Sequence, residues 1–317
     1  MYKDEGTNAR QVSYPINVLD SSNKDKVHML IHESDVILDT AASPTVSKSL
    51  SNDYEHNKRI ISFFMNPSGS SAIALIEDVE RIYRLDTIEY EYFKRLIEVP
   101  EHEKHFIRTG AIYYSTSCRN RSTIISQDSV ATFSALCSKK FKNALIHEHA
   151  EVLIWTENDD GIILDKFVPA KYNKHEIFSS DGDKWDVFIS NEVERDIEKA
   201  RKAAISVETG GVLVGGIDKH RNIIYIVMNI PAPDDSVHAP TSYIRGYRGL
   251  AAKMKNIGLL THNALGYIGE WHSHPTPITA KSKEDIVLHN TLKEFASGNF
   301  SPAVLIIAGT CGYSLYI

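Results

Sequence analysis

The sequence predicts an α/β protein built as two domains, and three observations carry that expectation. Short runs rich in β-branched residues alternate with stretches of 3.6-residue apolar periodicity along much of the chain. A polar, aperiodic break with the turn formers Asn173, Asp181 and Gly182 lies between Val168 and Asp183, and divides the chain into residues 1–178 and 184–317. With 317 residues, 42% of them hydrophobic, the chain is long enough to bury two cores.

In the first half an apolar strand is expected at residues 35–39, followed by the small-residue stretch TAASPTVSKSL and by strands at 59–64 and 72–76. Residues 129–141 have helix-compatible spacing, and 152–155 with 162–167 form a hairpin that turns at NDDG. In the second half residues 186–190 make a short strand, after which Asn191, with Glu194 three residues on, starts a helix. Val193, Ile197, Ala200 and Ala204 fall on one face of that helix and carry it to about Ser206. Residues 212–214 and 223–228 are β-branched strands joined by DKHRN, and Pro231 and Pro233 end the second. A helical stretch near 250–257 then precedes a strand at 267–272, a helix beginning near Ser282, and strands at 304–308 and 313–317. The second domain is therefore a mixed sheet with flanking helices.

Composition narrows the function classes. The N-terminus, MYKDEGTNARQVSYPINVLD, has no apolar stretch of signal-peptide length, and no segment approaches the roughly 20 apolar residues that cross a bilayer. Cys118, Cys137 and Cys311 are too few and too scattered for a disulfide framework, which fits a reducing compartment. A cytoplasmic protein with no membrane partner is expected. The net charge of -6, without any basic block, argues against a nucleic-acid partner.

The chemistry concentrates in GEWHSHP. His272 and His274 stand two apart at the end of a strand, where alternate side chains share a face, so two imidazoles can share one ion. Asp285 follows at the start of a helix, a rigid place for a third ligand. Two nitrogens and one carboxylate oxygen leave a tetrahedral zinc one open position, as in catalytic rather than structural sites. Glu208, in SVETGGVLVGG, is the candidate carboxylate for proton transfer. Each piece also has a plain explanation. Ser282-Lys-Glu-Asp285 reads as a helix capping box, Glu208 as a strand-edge acid, and the second His-x-His, His147-Glu148-His149, as ordinary surface or core histidine, since no Ser-x-x-Asp follows it. The full string, Glu-x-Gly-Gly and then His-Ser-His-Pro, seven residues and Ser-x-x-Asp, is too specified for chance.

This half resembles the JAB/MPN/Mov34 (JAMM) metalloproteases, whose signature is a glutamate followed at a distance by His-x-His-x7-Ser-x2-Asp. The resemblance implies Zn2+ at His272, His274 and Asp285, proton transfer by Glu208, and Ser282 helping to hold the oxyanion or the activated water. It implies an active enzyme, since every signature residue is present. It further implies hydrolysis of a peptide or isopeptide bond after the C-terminal glycine of a ubiquitin-like protein. Such a tail would lie as an added strand beside the metal, flanked by residues 275–279 and bordered by SVHAPTSYIRGYRG.

The segments DVILDTAASPTVSKSL, RIISFFMNPSGSSAIALIED and SCRNRSTIISQDSVATFSALCSKK resemble the second half of ThiF/MoeB-like adenylating enzymes. No G-x-G-x-x-G occurs, so a nucleotide cradle is missing, and the half is expected to be a degenerate or truncated activating domain used for docking or assembly, or a fragment of a longer protein. Cys118 lies where some relatives carry a thioester cysteine, with Arg119 and Arg121 to lower its pKa; its other reading is a plain free cysteine. Cys137, in an apolar helical pattern, is expected in the core. Together the halves resemble proteins of bacterial ubiquitin-like conjugation systems, some of them antiphage, in which activating or conjugating enzymes are partners. Two alternatives stand beside the isopeptidase: a non-catalytic scaffold for a ubiquitin-like partner, and a zinc amidase acting on short peptides or small molecules. A zinc deaminase is disfavoured, because no Pro-Cys-x-x-Cys accompanies the histidines.

Overall fold

Residues 11–107, 112–113, 122–123, 125–179, 182–298 and 301–317 are described in a computed structural model of the chain. The first part runs α1 (Lys24–Glu33), β1 (Val36–Asp39), α2 (Pro44–Asn52), β2 (Arg59–Met65), β3 (Ser71–Ile76), α3 (Leu85–Glu98), the two-residue strands β4 (Ile112–Tyr113) and β5 (Ser122–Thr123), α4 (Gln127–Ala144), β6 (Glu151–Asn158) and β7 (Gly161–Phe167). Five strands form a sheet of order β1-β2-β3-β6-β7, parallel between β1 and β2 and antiparallel beyond. Helices cover both faces. Ile31, Leu50, Ile88 and Leu96 from α1, α2 and α3 bury Ile60, Ile73 and Ile154 on one side. Phe133 of α4 packs with Phe63 and Trp155 on the other. The stretch TAASPTVSKSL is mostly helix: Ser43 Oγ caps α2 and Pro44 fills its first turn, where a missing N–H costs nothing.

The second part runs β8 (Tyr172–Phe178), β9 (Lys184–Ser190), α5 (Asn191–Ala203), β10 (Gly210–Asp218), β11 (Ile223–Pro231), β12 (Val237–Ala239), β13 (Ser242–Ile244), α6 (Leu250–Leu260), β14 (Gly266–Ser273), α7 (Lys283–Ser297), β15 (Val304–Gly309) and β16 (Gly312–Tyr316). Seven strands make a mixed sheet of order β16-β15-β14-β10-β11-β9-β8. The break expected between Val168 and Asp183 thus contains a strand, β8, paired antiparallel with β9. Its exposed Asn173, Lys174 and Glu176 interrupt the apolar residues Tyr172 and Ile177, so the strand shows no regular apolar pattern. α5 stops at Ala203, short of Ser206, and buries Val193 and Ile197 against Val187, Ile224 and Ile306. α7 closes Leu292 over Leu305 and Ile307. Among the described residues no helix is long and apolar enough to cross a membrane.

α3 serves both sheets. Leu85, Ile88, Tyr92 and Leu96 face the first core, while Tyr90, Phe93 and Ile97 face Tyr225 and Val227 of β11. Its buried acids bind partners in the second part: Tyr225 Oη donates to Asp86 Oδ2 at 2.6 Å, and Tyr172 Oη donates to Glu91 Oε1 at 2.7 Å. Beside them the Arg221 guanidinium donates to both oxygens of Asp53, at 2.5 and 2.6 Å.

Candidate metal centre and its cleft

The middle of the seven-stranded sheet brings the candidate residues together. β10 and β14 pair antiparallel with Gly210 opposite His272, so Glu208, just before β10, arrives beside the end of β14. Ser273 N–H donates to Thr209 O at 2.7 Å and Thr209 N–H to Ser273 Oγ at 3.1 Å, fastening the two strands at this point. The glycine after Glu-x is required here: a Cβ on Gly210 would lie 2.3 Å from the Tyr243 ring and 2.4 Å from Trp271 O. Glu208, His272, His274, Ser282 and Asp285 all line one cleft of about 580 Å³.

His272, His274 and Asp285 offer ligand atoms that lie within 4.8 Å of one another. Asp285 Oδ1 stands 2.9 Å from His272 Nε2, and Oδ2 stands 3.4 Å from His274 Nε2. Proximity is not hydrogen bonding here, because the buried His272 Nε2 has no properly aligned partner. An orphaned buried nitrogen next to a carboxylate oxygen is costly unless both lone pairs point at a shared electrophile, so the three residues can hold a metal ion. The remaining ring atom of His274 supports this: Nδ1 lies 2.9 Å from Ile278 O, a carbonyl that can only accept, so Nδ1 carries the proton and Nε2 the lone pair.

Asp285 owes its place to the helix start. Ser282 is the N-cap of α7, its Oγ accepting from Asp285 N–H at 3.1 Å while Asp285 Oδ2 accepts from Ser282 N–H at 2.8 Å. Asp285 thus belongs both to the capping box and to the candidate ligand set. Burial works against ionisation of Asp285, yet the His272 ring and the Ser282 N–H more than offset it and hold the carboxyl below the ordinary range. Glu208 is pushed the other way, its pKa raised by burial with only part of that returned by His274 and His272.

The two stretches expected to border a bound tail, SVHAPTSYIRGYRG and residues 275–279, both contribute to the cleft. The β12–β13 hairpin, inside SVHAPTSYIRGYRG, docks on Glu208: Glu208 N–H donates to Ala239 O at 2.8 Å, and His238 Nδ1 lies 3.0 Å from Glu208 O. Pro240 to Tyr243 form one wall of the cleft, and Pro275, Thr276 and Ile278 form another. Lys281 lines the cleft too, 3.1 Å from His289 Nδ1. Lys281 and the contact of His238 with Glu208 O were not expected from the sequence, because only approach in three dimensions creates them.

Other expected residues fall elsewhere. His147 and His149 sit exposed after α4, 5.7 Å apart by ring centroid, with no acid gathered to them as a metal group among the described residues. Cys137 is half-buried, and burial raises its thiol pKa to about 11. Cys118, Arg119 and Arg121 lie outside the described residues.

Residues 190–315 match the family of prokaryotic homologs of the JAB domain. The CD-NTase/cGAS isopeptidase of Enterobacter hormaechei subsp. hoffmannii (strain UCI 50) is 30% identical over 133 residues, which cover 42% of this chain and 72% of that protein. A JAB1/MPN domain protein from Archaeoglobus fulgidus is 20% identical with a TM-score of 0.25, over 40% of this chain and 86% of that one. A solution structure of a protein from Desulfitobacterium hafniense is 18% identical with the same TM-score of 0.25, over 40% and 87%. With its match beginning at the end of β9 and ending within β16, the chain belongs through its C-terminal part to the JAB/MPN family.

Proposed function

We propose that the cleft is the active site of a zinc-dependent isopeptidase that cleaves after the C-terminus of a ubiquitin-like modifier. One observation carries this: two imidazole nitrogens and a carboxylate converge in the cleft that the buried Glu208 also lines. Zinc suits the donor set. Two nitrogens and one oxygen are its catalytic ligands, and bonds of about 2.0–2.2 Å in a tetrahedron place neighbouring donors about 3.3–3.6 Å apart; His274 and Asp285 stand 3.4 Å apart, within that range, and His272 and Asp285 slightly closer at 2.9 Å. Bound there, zinc supplies Lewis acidity toward water and the scissile carbonyl.

The chain's own groups do the rest. The Glu208 carboxylate accepts a proton from the attacking water and returns it to the leaving amine nitrogen. Its raised pKa suits both halves of that task. The Ser282 hydroxyl accepts from Asp285 N–H through a lone pair, so its proton remains for the oxyanion that develops at the carbonyl. The walls from Pro240 to Tyr243 and from Pro275 to Ile278 suit an extended, glycine-ended tail. The relative named CD-NTase/cGAS isopeptidase supports a place in a bacterial antiphage ubiquitin-like system. We assign the five-stranded part, with its parallel β1–β2 pair and helices on both faces, to a ThiF-like domain without a glycine-rich nucleotide motif, used for docking activating or conjugating enzymes.

Glu208→Gln tests the mechanism apart from the metal. Cleavage of a modifier fusion should fall about 10²- to 10⁴-fold while zinc stays bound and an uncleaved tail still binds. Near-normal turnover with zinc present would show that a different group is the base.

A further inference from the structure

We propose that the outer edge of β7 is a self-pairing surface, joining two copies of the chain through antiparallel β7 strands about a twofold axis. The inference is independent of the active-site assignment.

β7 ends the five-stranded sheet, and among the described residues no strand pairs with its outer side. It carries Ile162, Ile163 and Leu164 in succession at 39%, 51% and 49% exposure. Natural sheets guard such edges with charge. β8, an edge of the other sheet, does so with exposed Lys174 and Glu176, whereas the first half of β7 has no guard. An unguarded apolar edge is a pairing template, and the question is what pairs with it.

The ladder fixes the register. Glu157 N–H donates to Ser70 O on the β3 side of β6, so Asn158 and Thr156 turn their backbone groups toward β7. Their partners there are Gly161 and Ile163, which leaves Ile162, Leu164 and Lys166 with N–H and C=O groups aimed outward. A second β7 can use those groups only if outward residues oppose outward residues. Centring the twofold on Ile163 satisfies this, placing Ile162 against Leu164 of the other copy and Ile163 against its own counterpart. It also sets Asp160 opposite Lys166. Asp160 is exposed in the turn and has no ion-pair partner among the described residues. Lys166 shares Glu151 with Lys140, so one carboxylate there faces two cations and the pair has positive charge to spare. In this register an apolar quartet is closed at both ends by opposite charges, on the face that already carries Trp155 beside Leu164. A second copy therefore fits by its own chemistry.

Sedimentation of the full chain tests this. The wild type should run at twice 35.6 kDa at micromolar concentration, and Ile163→Lys, which sets two ammonium groups against each other at the axis, should run as one chain with an unchanged melting profile. Asp160→Lys should weaken pairing about tenfold, most clearly at low salt. Ile163→Cys gives a check that does not depend on affinity, because a non-hydrogen-bonded antiparallel pair has the closeness a disulfide needs. Mild oxidation should link the two introduced thiols, while Val168→Cys, exposed but beyond the strand, should not link. A wild type that stays single at about 100 µM, a dimer indifferent to Ile163→Lys, or an absent cross-link would overturn self-pairing. The first result would leave the edge to a strand from another protein.

Discussion

Two segments of this chain spell His-x-His, and only the second is built into a site. His147 and His149 project from the loop after α4, and what that loop contributes is backbone: the carbonyls of His147 and His149 accept from the buried Arg59 guanidinium at 2.8 and 3.3 Å. His272 and His274 end a central strand, with ring centroids 5.2 Å apart and a helix-capping aspartate brought against both. Burial is not what separates them. His105 and His289 are also buried, yet each has found an ordinary partner, Tyr92 Oη at 2.7 Å for the first and Lys281 and the Ala303 carbonyl for the second. What marks the site is donor atoms converging with nothing between them.

The largest test of that contrast is substitution. His274→Ala should lose most of about one zinc per chain and take cleavage to background, because two ligands seldom retain the ion, while His149→Ala should change neither. Elemental analysis beside a fusion-cleavage assay reads both, and full zinc in His274→Ala would break the contrast. A second test separates core histidines from ligands by acid. Burial, helped by the charge of His102, depresses His105 to about 3, and burial likewise takes His289 to about 4, from the ordinary 6.5. Both are neutral in the folded chain, so the unfolded chain binds more protons below about 6.5. Stability should therefore be intact above that pH and fall as pH drops toward the folded values, by up to about 1.4 kcal/mol per pH unit for each group. His105→Gln, which keeps an acceptor for Tyr92, should remove one proton from that slope in denaturant titrations between pH 6 and 4. The smallest effect is expected at the cap. Ser282→Ala should cost about 1 kcal/mol of stability and weaken zinc binding about tenfold as Asp285 loosens, measured by melting and chelator competition.

Elements with a plain apolar pattern were legible in the sequence, and those without were not. α5 shows one apolar stripe, while β9, β11, β14 and β15 are nearly continuous buried runs, most of them rich in β-branched residues, and each of these was expected close to its observed place. α3 escaped because it is apolar on two sides and its acids Asp86, Glu89 and Glu91 are buried between them, so no single stripe stands out. α2 hides its buried face behind Ser47, Ser49 and Ser51. The metal group was legible for a different reason: strand alternation and the capping box fix His272, His274 and Asp285 by local spacing alone. Lys281 reaches the cleft, and His238 the Glu208 carbonyl, through tertiary approach, which no spacing encodes.

α3 sets a limit on dissection. A fragment beginning at 184 would strip Tyr225 of the Asp86 carboxylate and of the tilted Tyr90 ring, its centroid 4.4 Å away, and would turn a buried phenol and its aliphatic neighbours toward water. The part that carries the candidate metal site is therefore a poor candidate for excision on its own. Evolution could exchange the flanking part for another only if the newcomer offered an equivalent helix with an acid at the same turn.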